Sequence, residues 1–599
     1  MIRQLLYGGV VALVGMASVS QAQTSYNNHA QLSTRLKTLS TKYAAQATVS
    51  SIGKSAGGRD LWLLTLGKGD ATKKPAILVV AGLNGTHLAG TELAVQTAEK
   101  MLASANADSI AKLLNTKTFY FLPSMNPDAQ EQFAAKLKFE RTGNDTKADD
   151  DRDGRIDEDP FEDLNGDGMV TWMRVEDPTG SFVASKEDPR IMVKADPTKG
   201  EVGKYLLHSE GIDNDKDRVY NEDGQGGINP ERNFTFDYQI FVTGSGEYAA
   251  SEPEVRALLD FLYRAPNIFA VLTFGPNNNL SEAPRFDASK VARRIITGPL
   301  SKDAKAMEQV SKLYNSRTAM KDAPAMPQTR GNFSQTAYFH AGRYSFTTPG
   351  WWVPKVEAPR DSTRRGTGAG SAAPSGAGAP SGAAAPAAGG GGGGRMGGMM
   401  GGGGAAAAAA AAASASAANA TEDDTRFLKW ADKEKLTGVF VDWKTIQHPD
   451  FPNQKVEVGG VAPFVKLNPP LSYLEPVADK HLKFLSGLGA QMPEIQLVNV
   501  KTESLGNNLT RVTATVINKG LLPTYAEIGD RVRFVQKVKT ELKLGSGQAI
   551  VSGKRLNLRG ALGVDESEEY TWLVSGTGKL TIEAGCPTAG VQSTEVTLK

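Results

Sequence analysis

The chain has 599 residues, 67 Lys and Arg against 65 Asp and Glu, a formal net charge of +2 and one cysteine. That length exceeds a single ordinary domain, and the charge balance points away from nucleic acid as a partner. The lone Cys586 excludes a disulfide framework, a redox pair and a cysteine-based metal site.

The N-terminus has the layout of a secretory signal. Arg3 supplies the positive charge, Leu5–Val19 the apolar core, and Ser20-Gln21-Ala22 a small-x-small cleavage site. A membrane anchor is the alternative, but the run is short for a span. No later segment is long and apolar enough to cross a bilayer. The expectation is an exported chain, periplasmic or secreted, starting near Gln23.

Residues Thr24–Thr48 read as an amphipathic helix entering a sheet, and Val49–Gly57 with Arg59–Gly67 as a hairpin. The stretch Ile77–Glu92 is the one around which the first domain is organised. Ile77–Val80 is a short continuous apolar run, as for an inner strand covered on both faces. A Gly-containing loop comes next, then helical spacing from Thr91 to Leu102. Thr116–Leu122, Ile268–Phe274 and Tyr344–Thr348 read as further inner strands, and Ser251–Tyr263 as a helix with Pro253 in its first turn. Leu474–Leu488 reads as a closing helix. Past Pro493 the pattern changes to short alternating strands separated by turn signals. The fold class is therefore α/β, a mainly parallel mixed sheet with helices on both faces, followed by a small all-β sandwich. The expected domains are a signal at 1–22, a first domain at 23–490 and a β-sandwich at 491–599. The first domain holds an acidic insertion at 145–227 and a Gly/Ala-rich loop at 359–421.

In an open α/β sheet, ligands bind beyond the carboxyl ends of the strands, where Asn84 and His87 lie. This loop resembles the metal-binding loop of the zinc carboxypeptidase family. Other segments resemble that family in order: Asn126-Pro127-Asp128, then Arg141, then Asn229-Pro230-Glu231-Arg232-Asn233-Phe234. The resemblance implies that Arg141 matches the oxyanion-stabilising arginine, and that Arg232 with Asn233 matches the grip on a substrate's terminal carboxylate. Ion pairs with acids of the insertion are the alternative for both arginines. Glu231, where the family has Asn, puts a negative charge beside that pocket.

The resemblance also implies losses. The first two metal positions read Asn84 and His87, the third reads Gly275, and the general-base position reads Pro349. The family's substrate-facing Tyr has no match in Met326–Arg330. One His does not hold zinc, because catalytic sites use three protein ligands. Loss of metal and base together removes the attacking hydroxide and its activator. A rebuilt site is the alternative, with His87 and Glu92 or Glu231; His340 reads as a polar residue in the Tyr338–Arg343 turn.

The insertion carries its own signal. Asp149, Asp151 and Asp153-Gly154, with Asp157 behind, place oxygens at alternate positions, as a calcium loop does. Asp163, Asn165 and Asp167-Gly168 repeat the pattern, and Asp213, Asp215 and Asp217, with Glu222 behind, repeat it again. Arg218 stands where Gly is preferred. A solvated acidic surface is the alternative.

The expected cofactor is calcium rather than zinc. The expected function is a non-catalytic, exported carboxypeptidase-like protein that binds peptide C-termini or cell-envelope peptides. The alternatives are an active metallocarboxypeptidase with an altered zinc site, and a calcium-stabilised structural or adhesion protein.

Overall fold

The computed structural model describes residues 25–149, 154–224, 226–324, 329–356 and 423–598. The signal at 1–22, the Gly/Ala-rich loop at 359–421, Asp151, Asp153 and part of Met326–Arg330 lie outside the described residues.

The first sheet holds β1 (Ala47–Lys54), β2 (Asp60–Leu66), β3 (Ala76–Ala81), β4 (Thr118–Leu122), β9 (Ile268–Phe274) and β10 (Tyr344–Thr348). Its order is β1-β2-β4-β3-β9-β10. The hairpin β1–β2 is antiparallel, and β2 is antiparallel to β4. β4, β3, β9 and β10 run parallel. Every residue of those four is buried, as continuous apolar runs covered on both faces require.

Helix Pro253–Arg264 covers one face through Val255, Leu258 and Leu262, which pack with Leu78, Val80 and Phe333. Pro253 occupies its first turn, Glu252 sits at the N-cap, and no side chain caps it. Helix Leu88–Ala103 leaves the loop after β3 and packs against helix Leu471–Gln491.

The acidic insertion at 145–227 carries secondary structure of its own. It contributes β5 (Trp172–Glu176), β6 (Phe182–Ala184), β7 (Met192–Lys194) and β8 (Tyr205–Ser209) to a second sheet, with β11 (Phe440–Ile446) and β12 (Val456–Val461). The order there is β11-β12-β5-β8-β6-β7. These strands are three to seven residues long and interrupted by charge. Their pairing, such as Val175 with Val456, joins the insertion to a strand far along the chain, so local periodicity does not reveal it.

The carboxyl-terminal strands are β13 (Ile495–Gly506), β14 (Leu509–Asn518), β15 (Val538–Lys543), β16 (Ala549–Ser552), β17 (Leu556–Arg559), β18 (Ser567–Ser575), β19 (Gly578–Cys586) and β20 (Gly590–Leu598). They form two four-stranded sheets, β13-β14-β18-β16 and β17-β15-β19-β20. Val512, Ala514 and Trp572 of the first meet Leu542, Leu580 and Ile582 of the second in one core, the packing of a sandwich.

Two compact units result. One comprises Met1–Thr171, Ser209–Trp352 and Ala462–Lys599; the other comprises Trp172–His208 and Val353–Val461. Within the first unit the sandwich is joined to the α/β layer at Asp303. This buried carboxylate accepts from the amides of Glu527 (2.6 Å) and Ile528 (3.1 Å) and from the Tyr338 hydroxyl (2.7 Å). Among the described residues, no helix is long and apolar enough to cross a membrane.

Candidate active site and acidic loops

β3, β9 and β10 are adjacent and parallel, so the loops at their carboxyl ends meet. Asn84, His87, Gly275 and Pro349 all lie in those loops. Asn84 turns its side-chain oxygen inward to accept from the Thr86 amide (3.0 Å) and hydroxyl (2.8 Å). His87 is 2% exposed, and its imidazole faces the backbone of Pro349 and Phe274. Burial pushes its pKa down to about 4, more than those contacts raise it, so the ring is neutral at pH 7. An added Cβ at Gly90 would fall 2.9 Å from the His87 ring, so glycine there lets the ring lie over the helix's first turn.

The amide of Gly275 donates to the Thr348 carbonyl at 3.1 Å, which ties the ends of β9 and β10 together. A Cβ built on Gly275 meets only Thr273, at 3.7 Å, so the position has room for a side chain it does not carry.

A second histidine lies here that the strand-end search does not find. His481, on helix Leu471–Gln491, donates from Nε2 to the Gly350 carbonyl at 2.9 Å. Its ring stands edge-on to Phe274, with centroids 4.9 Å apart, and burial pushes its pKa down to about 4. The one signal for it is its place on the buried face of an amphipathic helix, which reads equally as core.

Neither carboxylate weighed for a rebuilt site serves His87. Glu92 is held by Arg35 Nη1 through both oxygens, at 2.9 and 2.8 Å. Glu231 is 4% exposed, and desolvation pushes its carboxyl up to about 8 against a weaker opposing bond from the Phe333 backbone. The expected negative charge beside the carboxylate pocket is therefore largely absent at pH 7, because the folded protein keeps Glu231 protonated. His340 ends helix Phe333–Phe339, with Nδ1 at 2.8 Å from the Thr235 hydroxyl.

The matched arginines are placed differently from one another. Arg141 lines a cavity of about 340 Å³ with Arg59, Asp128, Asp145, Lys147 and Asp157. Its Nη2 donates to Asp145 at 2.5 Å and to the Asn144 carbonyl at 2.6 Å, while its buried Nε has no partner. Arg59 joins the network, bonding Asp128 at 2.7 Å and Asp145 at 2.8 Å. Burial alone would raise Asp145, but the bonds from Arg59 and Arg141 hold it below the usual carboxylate value. The ion-pair alternative thus describes Arg141. Arg232 is exposed, outside that cavity lining, and donates to the Thr243 carbonyl at 2.8 Å. Asn233 is buried and fully used within its own loop, donating to the Ser245 and Tyr248 carbonyls and accepting from the Glu252 amide.

The acidic loops share one geometry. The first aspartate of each accepts from the amide five residues on: Asp149 from Gly154 (3.0 Å), Asp163 from Gly168 (2.7 Å), and Asp213 from Arg218 (3.1 Å). That sixth residue is left-handed in every case, at φ +97°, +84° and +76°, which suits glycine and strains Arg218. Among the described residues, Asp213, Asp215 and Asp217 are the group of three or more potential ligands whose oxygens lie within 4.8 Å of one another. Asp157 instead pairs with Lys147 at 3.1 Å. Asp159, Glu210 and Glu222 join the acidic loops without matching the alternate spacing. Glu210 accepts from Leu164 and Thr171, both at 2.8 Å, and Asp159 accepts from Asn221 at 2.5 Å. Glu222 is pushed well above the carboxylate range by burial and by Asp159 beside it.

Known proteins share parts of this chain. The profile described as zinc carboxypeptidase matches residues 32–168, and one described only as a domain of unknown function matches 494–597. Carboxypeptidase D of Drosophila melanogaster is 34% identical over 126 residues, which is 20% of this chain and 9% of that protein. Carboxypeptidase B of Astacus astacus is 35% identical over 106 residues, 18% of this chain and 34% of that protein. The match to both relatives therefore spans well under half of their length. Among solved structures, thrombin activatable fibrinolysis inhibitor shares 16% identity at a TM-score of 0.34, covering 54% of this chain and 65% of that one. Carboxypeptidase A from Helicoverpa armigera shares 15% at 0.33, covering 55% and 68%. The likeness to the zinc carboxypeptidase family thus lies in residues 32–168.

Proposed function

We propose that this protein is an exported, non-hydrolytic member of the zinc carboxypeptidase family that binds peptide C-termini or cell-envelope peptides. The observation that carries the reading is the closed setting of His87. The residues at the family's metal positions do not fit zinc: Asn84 is committed to Thr86, His87 is buried against backbone, and Gly275 has no side chain. Pro349 offers no base. The cavity around Arg141 and Arg59 supports peptide binding, because its cations and carboxylates complement a chain terminus with its adjoining amides. The test is titration with matched peptides ending in a free carboxylate or an amide. The free carboxylate should bind more tightly, the preference should vanish in Arg141→Gln, and no residue should be released. Chelator-sensitive release of C-terminal residues would instead establish an active enzyme with an altered zinc site.

A second reading concerns the insertion. The repeated first-to-sixth closure and the Asp213, Asp215, Asp217 group support calcium as a structural cofactor. A calcium-dependent melting temperature with no peptide binding would favour a structural or adhesion role.

A further inference from the structure

A groove of about 830 Å³ lies at the opposite end of the first sheet from His87. It is bounded by the segment before β3, helix Asp108–Thr116, the end of helix Leu471–Gln491 and the β19–β20 turn. Its charged lining is one-sided: Lys73, Lys74, Lys112, Lys117, Arg317 and Lys483 against Glu494. The whole chain is nearly neutral, so this is a local concentration of charge. Lys73 pairs with Asp70 at 3.5 Å, and Lys74 donates to the carbonyls of Lys68 and Leu114. Among the described residues, Lys112, Lys117, Arg317 and Lys483 form no ion pair within 4.0 Å. Lys117 is half-buried, its Nζ donates a long bond to the Pro493 carbonyl (3.5 Å), and burial lowers its pKa more than Glu494 raises it. A desolvated ammonium without an ion pair is costly, and an anion in the groove would offset that cost.

The geometry points to a site for a ligand carrying several phosphate groups. Lysine is a compact, strongly hydrated point charge suited to phosphate oxygens, and cations on several walls favour more than one phosphate over a single carboxylate. The volume accommodates a ligand of small-molecule size or a segment of a longer polyanion.

The test is calorimetric titration of the full chain with sodium tripolyphosphate, and separately with vesicles containing phosphatidylglycerol. Tripolyphosphate should bind, with affinity falling about tenfold between about 50 and about 200 mM salt. The triple variant Lys112→Gln, Arg317→Gln, Lys483→Gln should lose about tenfold or more, while Lys305→Gln, on another surface, should bind as wild type. All these positions are exposed, so folding should not intervene. Variant-sensitive binding to vesicles alone would assign the phosphates to a lipid headgroup. Absence of binding to both probes, or equal loss in Lys305→Gln, would overturn the proposal.

Discussion

Glu231→Gln should change how stability depends on pH, and the structure sets the size of the effect. Glu231 is 4% exposed, and desolvation moves its carboxyl from 4.5 to about 8. Because the folded pKa is raised, the neutral acid's contribution is complete below the unfolded pKa and is lost as pH rises through the folded one. A carboxyl titrating near 4.5 unfolded and near 8 folded gives up on the order of 5 kcal/mol of folding free energy over that window. Gln stays neutral throughout. At pH 5 the variant should match wild type or fall slightly below it, because the new amide must find a partner. At pH 8 it should be the more stable by several kcal/mol. Denaturant unfolding of both proteins from pH 5 to 8, followed by near-ultraviolet circular dichroism, measures the difference. A difference that stays flat with pH would mean that Glu231 ionises normally in the folded protein and that the reasoning fails.

Four further outcomes are expected from the same geometry. His87 and His481 each have a folded pKa near 4 against an ordinary 6.5, so wild type should lose stability as pH falls from 6.5 to 4, and His481→Phe should flatten part of that loss in acid unfolding curves. Asn84→His with Gly275→His adds imidazoles beside His87, and the open space at Gly275 admits one; competition with a zinc indicator should show at least about 100-fold tighter binding than wild type, and no gain would mean that the loops cannot converge on a metal. Arg59→Met leaves Asp128, whose side chain is fully buried, without its cation; it should lower stability by about 2 kcal/mol, under the range for a fully buried pair because Arg59 is partly exposed. Calcium at millimolar levels should raise the melting temperature, and Asp213→Ala should abolish that part of the rise that depends on the third loop.

The sequence was most legible where burial imposes a continuous apolar run. Ile268–Phe274 and Tyr344–Thr348 read directly as strands, because a strand covered on both faces leaves no polar position to blur its limits. The sandwich strands were readable for a related reason, since alternation with frequent turns has few other solutions. The second sheet was not readable. Strands such as Phe182–Ala184 are too short for periodicity, and β5 pairs with a strand on the far side of the Gly/Ala-rich stretch. At the site, only the family resemblance grouped Asn84, His87, Gly275 and Pro349; the structure puts them on neighbouring loops because parallel β3, β9 and β10 end together. Sequence order could not place His481, which arrives from a distant helix, or Arg59, which meets Asp128 and Asp145 only through the fold. Nor could it assign the charge state of Glu231, because that depends on burial and burial at one loop position has no local signature.

The measurement that bears most directly on the central claim is the zinc and calcium content of the purified protein after dialysis against metal-free buffer. Calcium without stoichiometric zinc is the predicted result. Zinc at one equivalent, lost in His87→Ala, would contradict that claim and would mean that the family's metal centre has been rebuilt around His87.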